Sequence, residues 1–112
     1  MTTYRKSGDI RPPINATLTR PEDGSAVDIS GSSAITIYAR DPDGTLELTG
    51  ATAAMVSDGT DGAVEYTVSS GDFAVSGEYD VEWEVDWDGA GDTERFPKKN
   101  YQTVKVSDEL SV

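Results

Sequence analysis

The chain has 112 residues, of which 21 are acidic and 9 are basic, and its formal net charge is −12 at pH 7. It contains no Cys and no His, which excludes disulfides, zinc–thiolate sites, thiol nucleophiles and the Ser-His-Asp triad. An acidic surface repels nucleic acid and anionic lipid, and no apolar stretch has the length of a membrane span. We therefore expect a protein that builds or binds rather than catalyses, with no cofactor and with neither nucleic acid nor membrane as a partner.

The first residues differ from the rest of the chain. Residues 1–13 contain Pro12 and Pro13, and two consecutive prolines enforce extended backbone that cannot donate to a sheet ladder. The segment predicts an extended N-terminal arm or an edge strand. An extended arm is a common device for assembly by strand addition, so a basic arm could reach the acidic body of a neighbouring copy. The alternative is that its basic residues pair within their own chain or only add solubility. Its candidate interaction residues are Tyr4, Arg5, Lys6, Arg11, Pro12 and Pro13.

Turn signals rich in Asp, Gly and Pro then recur at short spacing, with β-rich runs between them. This pattern predicts an immunoglobulin-like antiparallel β-sandwich of about seven to eight strands over residues 14–106. The segment 49–56 is ambiguous, because its alanines also suit a helical turn, but it lacks a helix start and is interpreted as a strand. Residues 107–112 are expected to form a short acidic tail. The expected strands lie at residues 14–19, 34–40, 46–48, 49–56, 63–69, 78–88, 94–98 and 101–106.

The clearest strand runs from Glu78 to Asp88. Its aromatic and Val residues alternate with acidic residues at the period of a strand, so one face is apolar and the other acidic. The aromatic residues, including Trp83 and Trp87, are expected to lie in the core. The acidic face has two interpretations, a solvated outer face or a docking face for a cation or a basic partner.

The loop that follows this strand resembles a calcium-binding loop in part. Asp86, Asp88 and Asp92 stand at ligand-like spacing, but Ala90 and Pro97 occupy positions where ligands belong. A hairpin loop is the favoured interpretation. The three aspartates remain candidate cation ligands in an alternative in which the chain is a cation- or carbohydrate-binding module.

A series of short turn and core motifs runs through the chain: Lys6-Ser7-Gly8-Asp9, Pro12-Pro13-Ile14, Asp23-Gly24, Arg40-Asp41-Pro42-Asp43-Gly44, Gly62-Ala63-Val64-Glu65-Tyr66, Gly77-Glu78-Tyr79, Glu82-Trp83 and Arg95-Phe96-Pro97. In these motifs the chain resembles the small immunoglobulin-like proteins of tailed viruses, and in particular the N-terminal domain of BppU-type baseplate upper proteins. The resemblance covers roughly residues 6–106. It implies a virion structural protein assembled in the host cytoplasm, a homo-oligomer within a symmetric assembly with other virion proteins as partners.

The excess of acidic residues also predicts adaptation to salt. In molar salt the Debye length falls to about 3 Å, so the self-repulsion of an acidic surface is largely screened. Together with the resemblance, the charge indicates a virus of a salt-loving, haloarchaeal host. An ordinary acidic protein is the alternative.

Overall fold

A computed structural model describes residues 2–98 and 100–108. These residues form eight strands and no helix, which confirms the prediction of an all-β fold with seven to eight strands. The strands are β1 (Thr2–Lys6), β2 (Ile14–Thr17), β3 (Ala34–Arg40), β4 (Leu46–Met55), β5 (Ala63–Tyr66), β6 (Gly77–Asp86), β7 (Thr93–Phe96) and β8 (Gln102–Ser107).

The strands form one strongly curled sheet in the order β1-β8-β6-β3-β4-β5-β2, with β7 paired to β6. Strand β4 belongs to two layers, because most of it pairs with β3 whereas its end, Ala54 and Met55, pairs with β5. The register shifts between Ile37 and Tyr38, and Gly50 adopts a φ of 89°, which only glycine adopts at low cost. Pairing with β3 resumes beyond this bulge from Ala51 to Ala53, and β4 passes from the first layer (β1, β8, β6, β7, β3) to the second (β5, β2) at Ala54.

The pairing differs from the antiparallel sandwich expected from the sequence. All pairs are antiparallel except β1 with β8, which run parallel, so the sheet is mixed. Turn signals predict hairpins between consecutive strands, but β1 and β8 lie far apart in the chain and no local signal indicates their direction.

The core lies between the two layers and is built around β6. Tyr79, Val81, Trp83 and Val85 are fully buried, as their alternation with acidic residues predicts. Trp87 lies beyond the end of β6 and is only partly buried against the core. Fully burying one large apolar side chain contributes about 2 kcal/mol, so this strand alone supplies a substantial part of the hydrophobic stabilisation.

The two layers are also joined by a buried polar link that the sequence does not reveal. The Trp83 indole Nε1 donates a 2.8 Å hydrogen bond to Gln102 Oε1, and Gln102 Nε2 donates to the Asn15 carbonyl at 2.9 Å. Gln102 is 3% exposed. Since an unpaired buried polar group costs about 1–3 kcal/mol, this amide fixes the position of β2 relative to β8.

The loop before β6 is fastened by its first buried aromatic residue. The Tyr79 hydroxyl donates to the Val75 carbonyl at 2.9 Å and accepts from the Val75 N–H at 3.2 Å. The Tyr79 ring meets the Phe73 ring edge-on, with centroids 4.9 Å apart. Phe73 has a φ of 54°, and its N–H donates to the Glu47 carboxylate at 3.1 Å. The loop therefore has a single closed conformation over the end of the core.

We expect Tyr79→Phe to lower the free energy of unfolding by about 1–2 kcal/mol, because it removes both hydrogen bonds to the Val75 backbone. Urea unfolding followed by tryptophan fluorescence measures the difference. Tyr4→Phe is the matched control, since Tyr4 is 74% exposed and its change should have no effect. Equal unfolding free energies for the two variants would contradict this role of Tyr79.

Candidate docking face

The outer face of the first layer carries the acidic side chains of β6. Glu78, Asp80, Glu82 and Glu84 alternate with the buried residues of that strand and point away from the core. All but Glu78 are only partly exposed. Neighbouring strands therefore cover much of what the sequence predicts as a solvated or ligand-binding acidic face.

Each of these acidic side chains has a cationic partner from an adjacent strand. Arg40 on β3 contacts Asp80 at 2.7 Å, and Lys105 on β8 lies 3.9 Å from Glu78. Arg95 on β7 contacts Glu82 at 3.0 Å and Glu84 at 2.9 Å. Exposed pairs of this kind contribute only about 0–1 kcal/mol each to stability. Their main consequence is electrostatic, because they turn an acidic row into a nearly neutral one.

The sheet register places these partners opposite one another. On β3, Arg40 is directly opposite Asp80. On β7, Arg95 is directly opposite Glu84, and on β8, Lys105 is directly opposite Glu78. Directly opposed residues share a face of the sheet and have Cβ atoms about 5 Å apart. The charge cancellation is therefore a property of the pairing, which is set by residues distant in the chain.

Two of the arginines also lie against tyrosine rings. The Arg95 guanidinium carbon lies 3.8 Å from the Tyr38 ring centroid, and that of Arg40 lies 5.1 Å from the Tyr101 centroid. Burial alone would lower the pKa of Arg95, but the hydrogen bonds to Glu84 and Glu82 together outweigh it and raise that pKa above its ordinary value. Each arginine is thus fixed in one orientation between an acid and an aromatic ring.

Exposed apolar side chains concentrate on the same face. Among the described residues, six large apolar side chains are exposed, and three of them lie here: Tyr4 at 74%, Leu46 at 56% and Tyr101 at 42%. Tyr4 is opposite Lys105, and Leu46 is opposite Arg40. A shallow cleft of about 110 Å³ joins Leu46 and Tyr101.

We call this surface the docking face. It consists of Tyr4, Tyr38, Arg40, Leu46, Glu78, Asp80, Glu82, Glu84, Arg95, Tyr101 and Lys105.

A second cleft adjoins the docking face at Tyr101. Its volume is about 310 Å³, and it lies between β2 and the segment that joins β7 to β8. Thr17, Thr19 and Asn100 line it, and the buried side chains of Trp83 and Phe96 form its floor. None of the described residues that line this cleft is charged.

The candidate cation ligands lie in the β6–β7 hairpin loop, where two of them bind their own backbone. The Asp86 carboxylate accepts from the Gly89 N–H at 2.8 Å, and that of Asp88 accepts from the N–H groups of Ala90 and Asp92 at 2.8 and 3.1 Å. These backbone donors hold the pKa of Asp88 below its usual value. Within residues 2–98 and 100–108, no group of three carboxylates is placed to hold a metal ion.

Of the candidate interaction residues in the N-terminal segment, Arg5 points into the fold. It is 8% exposed, and its guanidinium donates to the carbonyls of Asp9 at 2.8 Å and Pro12 at 3.0 Å. It also lies 5.8 Å from the Phe73 ring centroid. Burial lowers the pKa of Arg5. This side chain attaches residues 7–13 to their own domain.

The other residues of that segment remain on the surface. Tyr4, Lys6, Arg11 and Pro12 are exposed, and Pro13 is half-buried. Strand β1 stands at the edge of the sheet, but the Lys6 N–H donates to the Asp9 carboxylate and its carbonyl accepts from the Asp9 N–H. The edge is therefore closed at Lys6, and the side chain of Tyr4 lies on the docking face.

Sequence reasoning missed a charged cluster around Glu94. Its carboxylate accepts from both terminal nitrogens of Arg20, from Lys98 Nζ at 2.7 Å and from Trp87 Nε1 at 3.2 Å. The hydrogen bond from Arg20, supported by Lys98 and Trp87, lowers the pKa of Glu94 to about 2. Arg20 lies in the loop after β2, so the cluster ties that loop to β7.

No protein family, curated protein or solved structure matches this chain. None of the described segments is an apolar helix long enough to cross a membrane.

Because of Glu94, we expect the stability of the fold to depend on pH in the acid range. Its pKa is lowered from 4.5 in a free side chain to about 2 in the fold, so it stabilises the fold above about pH 4.5, and this stabilisation is lost as pH falls towards about 2. Because both partners are partly exposed, we expect Glu94→Gln to cost about 1–2 kcal/mol at neutral pH and to flatten the loss of stability below pH 5. Urea unfolding across pH measures both effects.

Glu22→Gln is the control for that experiment. Glu22 is exposed beside Arg20, and its substitution by Gln removes the same charge as Glu94→Gln. A Glu94→Gln variant that loses as much stability between neutral and acid pH as the parent protein would contradict the role assigned to Glu94.

We expect calcium not to stabilise the protein, because the carboxylates of Asp86 and Asp88 in the hairpin loop already accept hydrogen bonds from backbone N–H groups. About 5 mM CaCl2, a concentration above the dissociation constants of known calcium loops, should shift the melting temperature no more than NaCl of equal ionic strength. A rise of several degrees that Asp88→Asn removes would instead establish a calcium site.

Proposed function

We propose that this chain is a structural subunit of a tailed-virus particle, in the tail, baseplate or head, and that it acts by protein–protein assembly without catalysis. The single observation that carries the proposal is the docking face. Exposed aromatic and aliphatic side chains beside fixed arginines are the composition typical of protein interfaces, which are enriched in Tyr and Arg.

The strand order supports the resemblance to immunoglobulin-like virion proteins. The order β8-β6-β3-β4 corresponds to G-F-C-C′ in a variable-type immunoglobulin sandwich, and β2 paired with β5 corresponds to B and E. The hydroxyl of Tyr79, near the start of β6, binds backbone four residues upstream, as the tyrosine of strand F does in such sandwiches. These features support an immunoglobulin-like fold, which is the structural part of the resemblance.

The charge distribution supports a salt-loving host. The loops at one end of the sandwich, residues 18–33, 56–62 and 87–92, carry many of the exposed acidic residues. Hydrogen bonds from Ser30 lower the pKa of Asp28, and repulsion from Asp58, which lies in a different loop, opposes that shift. Such repulsion is relieved when salt screens it.

The proposal predicts self-association. Light scattering in about 2 M KCl and in about 0.1 M KCl should give a defined oligomer in the high-salt buffer, and the melting temperature should be higher there. A monomer in both buffers would contradict assembly through copies of this chain. A melting temperature no higher in the salt-rich buffer would contradict the salt-loving host.

A further inference from the structure

We infer that the docking face is the contact between two copies of this chain, related by a two-fold axis. The inference rests on the proposed function and deepens it, since it names the partner and the surface. The charge of the surface, its self-complementarity and its area each favour this contact.

On the docking face two copies repel each other less than they do at the acidic loop end. The chain carries a net charge of −12, so two molecules repel over most orientations. On the docking face the three cations Arg40, Arg95 and Lys105 oppose four acidic side chains, so these seven residues have a net charge of −1. Asp86, at the loop end of β6, adds one further negative charge beside the face. The acidic loop end, by contrast, would bring many aspartates together.

The face is also complementary to itself. Its cations and acids alternate across the strands, because Arg95 lies opposite Glu84 and Arg40 opposite Asp80. Lys105 on β8 and Arg40 on β3 flank the acidic row of β6. A two-fold axis that runs between β6 and β3, parallel to them, therefore places the cations of one copy on the acids of the other. A face of one charge has no such arrangement, because like charges across an interface cost several kcal/mol.

The area suits a reversible dimer. The face spans the five strands β1, β8, β6, β3 and β4, which at about 4.8 Å spacing and about six residues per strand measures roughly 24 by 20 Å. Two copies would bury about 1,000 Å², the lower end for a specific interface. We therefore expect association on the order of micromolar, with Tyr101 and Leu46 as the apolar centre.

The dimer has a distinctive response to salt. Ion pairs between oppositely charged partners weaken as salt is added, whereas the repulsion between two bodies of like net charge is screened. Since the pairs on the docking face are already made within each chain, screening of the repulsion dominates. Salt should tighten this dimer.

The test is sedimentation equilibrium over a range of protein concentrations, in about 0.1 M and about 2 M KCl. The face variants are Leu46→Ser and Tyr101→Ser. The matched control is Val56→Ser, because Val56 is 53% exposed and Leu46 is 56% exposed, but Val56 lies after the end of β4 and away from the face. All variants are first checked for an unchanged thermal melt.

We expect the parent protein to dimerise at least about tenfold more tightly in the high-salt buffer, each face variant to weaken the dimer about tenfold or more, and Val56→Ser to leave it unchanged. An oligomer that the face variants do not weaken, or that salt dissociates, would overturn the inference while leaving assembly intact. A monomer throughout would overturn both the inference and the proposed self-assembly.

Discussion

The structure depends on the pairing of β6 with its three neighbours. This strand is hydrogen-bonded to β3 along one edge and to β8 and β7 along the other. Its alternation places Tyr79, Val81, Trp83 and Val85 in the core and its acids on the outer face. A slip of one residue would exchange the two faces, burying carboxylates and exposing tryptophan. The same pairing therefore determines both the core and the surface.

The local part of this arrangement was predictable. The period-two pattern of β6 and the bounds of β3 follow from residues adjacent in the chain. The ambiguous segment 49–56 proved to be the second half of the long strand β4, where Gly50 and the register shift explain why the pattern is broken. Local alternation, however, says nothing of which strand lies beside which.

The non-local part of the site escaped prediction for that reason. An acidic row reads as a solvated face unless it is known that Arg40, Arg95 and Lys105 stand opposite it. Arg5 illustrates the converse: its position in a basic segment suggests an available charge, whereas the fold buries it against backbone carbonyls. The order of charges along a sequence does not show whether a cationic side chain is free or is bound by groups of its own chain.

The negative charge of the chain is thus unevenly distributed over its surface. One end of the sandwich is crowded with acidic loops, while the outer face of the first layer is nearly neutral and carries Tyr4, Leu46 and Tyr101. An acidic protein in salt needs such a neutral area if it is to contact other molecules of like charge. The two surfaces are compatible with one role, a subunit whose acidic end is solvated and whose neutral face is used for assembly.

Native-state hydrogen exchange of the backbone amides measures whether the fold depends on β6. We expect the amides of β6 and of the facing residues of β3 to exchange slowest, at the rate of global unfolding. Stronger protection of the amides of β2 and β5 than of those of β6 would instead show that the second layer is the stable unit, and would contradict the dependence on β6.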